Sequence, residues 1–361
     1  MTHRLSGLLR PVLAISAALV CVGVLLALTG DDPFSAMVTL VDGAFGSTRR
    51  TGETLASFVP LALTGLSVAI GFRAGLFNIG AEGQLLLGAL AAAAAGPYLA
   101  DVPPLLSVPL VMLLGAVAGG LWGFIPGYLK AFRDANEVIT TLMLSYVAYF
   151  LTEYLITGPL KTDGVLPATD LLPEMLRLPR LTQPGLEGVP DLGRLHGGVY
   201  VALAALAVAG FIAHRTTFGL RSRLVGRSIT ASEYAGLDVR RTIIQTMVLS
   251  GAIAGLAGAV QVLGVSYRLS SSFSPGFGFT GIAIALLGNL AAAGVLLAAL
   301  LFAVLQTGGQ VMQRISGTPS SIVTIIQGLV ILFVATRISG VKQLSTLLRR
   351  RKARVARRER P

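Results

Sequence analysis

Long apolar runs, separated by short polar or glycine-rich breaks, set the pattern of the chain. Ten stand out, at 12–29, 55–72, 85–100, 107–126, 138–157, 198–213, 243–264, 277–288, 293–309 and 321–336. A helix needs about 20 apolar residues to cross the hydrocarbon core of a bilayer, and most of these runs approach that length. Lipid offers the backbone no hydrogen-bond partner, so each run must satisfy its peptide groups within itself, which predicts helices. The expected fold is therefore an all-α polytopic membrane protein of about ten transmembrane helices, with nine or eleven as alternative counts. The eighth run is too short to cross straight, and is either a half-helix or continuous with its neighbour. Arg4 and Arg10 precede the first run. No small-x-small cleavage site follows it, and Leu19-Val20 before Cys21 lacks the small residue of a lipoprotein site, so Val12–Leu28 reads as a retained helix.

The basic residues give the expected orientation, because cytoplasmic loops carry an excess of Lys and Arg. With the N-terminus inside, 21 of the 29 Lys and Arg fall on the cytoplasmic side. Asp31, Asp32, Asp42 and Glu53 fall in the first outer segment. Both termini are thus expected in the cytoplasm. Residues 1–340 read as one transmembrane domain, with a Pro- and Gly-rich extracytoplasmic loop at 158–197 and a cytoplasmic loop at 214–241. A short helix is expected at Leu171–Leu178. Residues 341–361 read as a basic cytoplasmic tail. The long outer loop divides five spans from five, which suggests internal symmetry without establishing an inverted repeat.

Composition narrows the function classes. Only 13% of residues are charged and the mean hydropathy is +0.75, against about 25% charged residues in soluble proteins. A water-soluble enzyme surface cannot be built from so few charges. Of the net charge of +12, the segment Arg349–Arg360 supplies +7, and no basic face is interleaved with aromatics, so nucleic acid is excluded as a partner. The tail instead suits the lipid surface. One cysteine excludes an internal disulfide, and 3 scattered histidines argue against a metal cluster. No G-x-x-x-x-G-K-[ST] phosphate loop occurs, and no nucleophile, base and orienter come together, so no catalytic residue is expected.

Four stretches could carry chemistry. In GFRAGLFNIGAEGQ (71–84), polar residues and glycines interrupt two apolar runs, which points either to a translocation site or to an ordinary cytoplasmic turn. Asn78, Glu82 and Gln84 are the pathway or gate candidates, although Glu82 could instead lock Arg73. In 214–241, Thr230 and Glu233 have capping-box spacing and Gly236 sits where a left-handed residue would end a short helix, Thr230–Ala235. That helix could enter a groove of a partner, or the loop could simply attract anionic lipid. The pairs Gly115/Gly119 and Gly251/Gly255 allow close helix approach, read as packing within one bundle. Finally FSPGFGFT (273–280) offers Phe279 and Thr280 either as solute contacts or as core and interfacial anchors. Glu153, near the end of the fifth run, reads as an interfacial group.

Four segments carry a resemblance: GLFNIGAEGQLLLGALAAA (75–93), ANEVITTLMLSYVA (135–148), LVGRSITASEYAGLDV (224–239), and GFGFTGIAIALLGNLAAAGVLLAALLFAVLQTGG (276–309) with IIQGLVILFV (325–334). Together they resemble permease subunits of bacterial ABC importers for nucleosides and simple sugars, the branch served by basic-membrane-protein-type lipoprotein receptors. After Gly288 the family usually shows a basic, Pro-containing turn, where this chain has Asn289–Gly294. The resemblance implies a type II importer arrangement and a nucleoside, or a simple sugar, as solute. It also implies a cytoplasmic ATP-binding subunit, a second permease subunit, identical or not, and an extracytoplasmic substrate-binding lipoprotein. No cofactor is expected in this chain, ATP and Mg being held by the ATPase. Gly226, Arg227, Ala231, Glu233, Ala235 and Gly236 are implied to couple to that ATPase. The alternative is an ion-coupled secondary transporter of a small polar solute, for which Glu82 and Glu153 are the only acidic candidates. A membrane-embedded enzyme or scaffold comes third.

Overall fold

The computed structural model describes residues 32–182, 191–316, 324–325 and 327–329. The expected span 12–29 and the basic tail lie outside them, as do eleven of the sixteen residues of 321–336. Eleven α-helices follow in order among the described residues: α1 Pro33–Phe45, α2 Thr48–Arg73, α3 Ala81–Ala95, α4 Pro104–Arg133, α5 Glu137–Thr157, α6 Gly198–Arg215, α7 Thr217–Arg227, α8 Ile229–Tyr234, α9 Val239–Gln261, α10 Phe277–Leu287 and α11 Ala292–Ser316. A π-turn, Val262–Ser266, extends α9. No strand occurs among these residues, only the isolated bridges Ala168–Ser270 and Arg180–His196. Six helices are long and apolar enough to cross a membrane: α2, α4, α5, α6, α9 with its π-turn, and α11.

Every expected run between 55 and 309 is helical, and several boundaries move. Ser47 caps α2 by accepting the Arg50 N–H at 3.2 Å, so that helix starts seven residues before its apolar run. Asn136 caps α5 through the Val138 N–H at 3.0 Å, and Asp238 caps α9 through the Arg241 N–H at 2.9 Å. The eighth run is a half-helix, α10, ended by a turn in which Asn289 and Leu290 both take positive φ. The helix expected at Leu171–Leu178 is only a 3₁₀ turn, Glu174–Leu176, since Pro173 and Pro179 leave no room for a longer one.

The residues between Leu40 and Gly308 form one compact unit. Within it, α9 is the central element and packs on α2, α3 and α4. The expected glycine pairs meet one another, which places both in the bundle interior. A Cβ at Gly255 would overlap the Gly115 carbonyl oxygen, and one at Gly119 or Gly251 would strike the backbone of the facing helix. Gly88 of α3 lies against Gly255 at the same point, so three helices approach through glycine alone. The outward faces of α4, α5 and α6 remain apolar, with Leu105, Leu121, Phe150, Tyr200 and Phe211 exposed. Water does not tolerate such faces; lipid does.

The described residues of the segment 158–197, that is 158–182 and 191–197, cover one end of this unit. Arg194 pairs with Glu53 of α2 at 2.7 Å, and Leu178 N–H donates to Leu263 O of α9 at 2.8 Å. His196 is fully buried there. Its Nδ1 accepts the Gly198 N–H at 3.1 Å, and its ring fills the space left by Gly264 in the π-turn. Burial holds the imidazole neutral, lowering its pKa from 6.5 to about 4. As pH falls through 6.5 the unfolded chain takes up a proton that the folded chain refuses until about 4. Stability is therefore full above pH 6.5 and declines across that window, by about 3 kcal/mol at its lower edge. The thermal midpoint of purified protein should fall between pH 6.5 and 4.5, and His196→Asn should flatten that slope. Parallel slopes for the two proteins would remove His196 as the cause.

Candidate functional site

Two half-helices meet inside the unit. Helix α2 begins at the 158–197 segment, where Gly52 touches Leu192, and runs away from it to Arg73. The chain then turns back through Ala74–Gly80 into α3, which climbs until Gly96 touches Leu172 of the same segment. Helix α10 runs the other way, and Leu290 beyond its end lines a cavity that Ala213 and Phe218, at the end of α6 and the start of α7, also line. The N-termini of α3 and α10 therefore face each other within the bundle. Each exposes unpaired N–H groups and the positive end of a helix dipole, which in an apolar interior demand an acceptor.

Glu82 supplies it. The carboxylate sits in the first turn of α3, and its Oε2 accepts the Gly278 N–H of α10 at 2.6 Å. Gly278 is needed here, because a Cβ would collide with the Glu82 backbone. Glu82 thus bonds α10 and not Arg73. The polar string is only partly helix-breaking: the break ends at Gly80, and Ala81–Gln84 are helical.

Asn78 and Gln84 lie apart from Glu82, in a buried hydrogen-bond cluster. Asn78 Nδ2 donates to Gln84 Oε1 at 2.9 Å and to Ser250 Oγ at 2.8 Å, while Gln84 Nε2 returns to Asn78 Oδ1 at 3.3 Å. Asn78 Oδ1 also accepts the Gly80 N–H at 3.0 Å, shaping the entry into α3. Ser67 and Ser250 complete the cluster, each hydroxyl donating to the other's carbonyl at 2.7 Å. The cluster ties α2, the Ala74–Gly80 turn, α3 and α9 at one point.

A cavity of about 320 Å³ opens beside Glu82. The 270–279 segment and α5 form most of its walls, with Tyr146, Tyr149, Phe150, Phe273 and Phe279 as aromatics, Ser145, Thr152, Ser270, Ser271 and Ser274 as hydroxyls, and Glu153 as a second acid. Phe279 is 42% exposed and faces this space. Glu153 accepts from Ser271 Oγ at 3.1 Å. Thr280 is not among the walls; its N–H donates to Gly276 O at 2.9 Å within the first turn of α10. Asn78 and Gln84 are not walls either. The aromatic contribution of α5 was missed from sequence, although Tyr146 and Phe150, and Tyr149 and Glu153, carry the i,i+4 spacing of one helix face. A volume of this size with stacking faces and convergent acceptors suits a small, polar, ring-bearing solute.

At the opposite end from segment 158–197, α7 and α8 join α6 to α9. Ser228 caps α8 by accepting the Ala231 N–H at 3.2 Å, so the helix is Ile229–Tyr234, one residue earlier than expected, and Thr230 does not form the cap. Gly236 does take the left-handed conformation, φ 75°, and donates to Glu233 O at 2.9 Å. Ala231, Glu233, Ala235 and Gly236 are exposed, as is Tyr234 at 91%. Arg227 ends α7, beside Gly226. Gly226 itself lies against Arg73, Ala74 and Gly75 so closely that a Cβ would overlap the Arg73 carbonyl oxygen. Ala74, Leu76, Val225, Val239, Ile243 and Met247 then form one buried cluster. The α7–α8 segment is thus in direct contact with the turn that leads to Asn78 and Glu82.

Residues 51–335 match the family described as Branched-chain amino acid transport system / permease component. The chain is 43% identical over 337 residues to a guanosine ABC transporter permease protein of Bacillus subtilis, covering 93% of this chain and 95% of that one. It is 40% identical over 336 residues to a glucose ABC transporter permease protein of Haloferax volcanii, covering 90% and 86%. A nucleoside ABC transporter permease protein of Lactococcus lactis is 36% identical over 339 residues, 93% of each chain. No solved structure matches. With its run of apolar helices, its two opposed half-helices and this breadth of similarity, the chain belongs to the branched-chain amino acid transport system permease family and is an integral membrane permease of the ABC transporter type.

Proposed function

We propose that this permease forms the path by which a nucleoside, or secondarily a simple sugar, enters the cell through an ATP-binding-cassette importer. The observation that carries this reading is the cavity at Glu82: among the described residues its walls hold five aromatic rings for stacking, five serine and threonine hydroxyls and two carboxylates, and no Lys or Arg. A neutral base and ribose match those groups, and an anionic solute would meet two like charges. The guanosine and nucleoside transport named for two relatives supports the same class. In this reading Glu82 and Phe279 border the solute, while Asn78, Gln84 and Thr280 position the half-helices that carry them.

The chain would cross the membrane about ten times with both termini in the cytoplasm, as its basic residues suggest. Residues 1–340 form the transmembrane domain, the segment 158–197 faces outward, and 341–361 lie at the inner lipid surface. Two permease subunits, a cytoplasmic ATP-binding pair and an extracytoplasmic binding protein would complete the assembly. ATP and Mg belong to the ATPase, and this chain holds no cofactor. The exposed face of α8 is the docking surface for that ATPase. Its movement would reach Glu82 through the Gly226–Gly75 contact and the Ala74–Gly80 turn.

Gly236→Asp is expected to lower coupled uptake at least tenfold with insertion unchanged, because it strains a left-handed residue by about 1 kcal/mol and puts a new charge on the docking face. Uptake at the normal rate would remove α8 from the coupling path. The function itself is tested by uptake of labelled guanosine into vesicles holding the full complex, with unlabelled nucleosides and sugars as competitors. Uptake should need ATP hydrolysis and survive an uncoupler. Loss with the uncoupler alone would favour ion coupling.

A further inference from the structure

A second cavity, about 440 Å³, lies between α2, α6, α7 and α9 and is distinct from the one at Glu82. Its walls are almost wholly apolar, with Leu66, Ile70, Val208, Ile212, Phe218 and Leu256 prominent. Among the described residues one charged side chain lines it: Arg73, the last residue of α2. Arg223 of α7 directly follows Ser222, another wall residue. Neither arginine pairs with a carboxylate among the described residues. Arg223 Nη2 donates to Ala213 O at 2.6 Å, but its Nε is buried with no acceptor.

We propose that this cavity binds an anionic phospholipid, with one acyl chain among the apolar walls and the phosphate between Arg73 and Arg223. Three observations converge on a lipid of this charge. Apart from Arg73 and Ser222 the walls offer a polar solute no side chain to bond, whereas an acyl chain needs no partner. Val208 is exposed and lines the cavity on α6, so the space is reached from the apolar outer face that lipid contacts. Arg73 lines the end of the cavity, and Arg223, next in sequence to the wall residue Ser222, keeps a buried Nε with no acceptor, so a phosphate oxygen there would supply the missing bond beside a second guanidinium group. The volume lies within the range of about 300 to 1,000 Å³ in which drug-sized molecules are held. Because Arg73 and Ala74 also touch Gly226, a bound lipid would brace the contact between α7 and the turn leading to Glu82.

Native mass spectrometry of the purified full complex tests this, using phosphatidylglycerol and phosphatidylcholine of identical acyl chains as probes. The wild-type complex should retain phosphatidylglycerol over phosphatidylcholine by roughly tenfold or more. The double variant R73Q/R223Q should lose that preference while still retaining either lipid weakly. Ala205→Phe, which fills the cavity from α6, should abolish retention of both, with the complex still monodisperse. Equal retention of the two lipids by the wild type would overturn the proposal. So would an undiminished preference in the double variant, or no retained lipid because another span of this chain occupies the cavity.

Discussion

Glu82→Ala is expected to reduce uptake by the assembled complex roughly 30- to 100-fold. The carboxylate is buried in the first turn of α3 and joins it to the N-terminus of α10, accepting the Gly278 N–H at 2.6 Å. Hydrogen bonds to a charged group are worth about 1.5 to 3 kcal/mol, and deleting the acceptor leaves donors stranded in an apolar interior. With about 1.4 kcal/mol per factor of ten, a loss of 2 to 3 kcal/mol gives that range. The half-helix α10 would no longer be held at the start of α3, so Phe279 would leave its place on the cavity wall. Glu82→Gln keeps an oxygen for Gly278 but loses the charge that the two dipoles favour, and should fall between, near tenfold. Initial uptake rates at matched permease levels decide it; an alanine variant at the wild-type rate would show that the bridge is not needed.

The largest loss of stability is expected from Gly255→Val. Overpacking usually costs about 1 to 3 kcal/mol because side chains can shift to relieve it. Here the new Cβ would meet the Gly115 carbonyl oxygen and the backbone of Gly119, and neither can rotate away. Helices α4 and α9 would have to separate, breaking the closest seam around the central helix, so the cost should reach or exceed the top of that range. Native stabilities are only about 5 to 15 kcal/mol, so most of the chain should be lost as aggregate on fluorescence-detected size exclusion. Gly120→Ala is the control. Its added Cβ would meet nothing nearer than the Val248 carbonyl oxygen at 3.3 Å, and it should leave the thermal midpoint near wild type. A Gly255→Val protein with a wild-type midpoint would contradict the seam.

The long apolar helices were legible in sequence because hydropathy in lipid is a local property of each run. Helices α1 and α7 were not, being short and carried on segments of mixed polarity. The glycine pairs at 115/119 and 251/255 announced a close approach, but spacing cannot say which helix faces which, nor that Gly88 joins them. The polar string 78–84 stood out as a break in an apolar pattern. Its division into two roles was invisible, because those roles depend on distant partners: Ser250 for Asn78, and Gly278 for Glu82. At α8 two caps competed locally, and Ser228 won over Thr230 because it can accept the Ala231 N–H directly. The aromatic face of α5 was readable by its i,i+4 spacing once a reason existed to look for a wall there.

The central claim is that the cavity beside Glu82 is the solute path. Phe279→Cys, made in a Cys21→Ser background, places one thiol on its wall without touching the Glu82 bridge. The measurement is labelled guanosine uptake by the reconstituted complex before and after a thiol-directed reagent, with the extent of modification quantified. Modification should block uptake, and excess unlabelled guanosine should slow both modification and loss. Complete modification with unchanged uptake would place the path elsewhere.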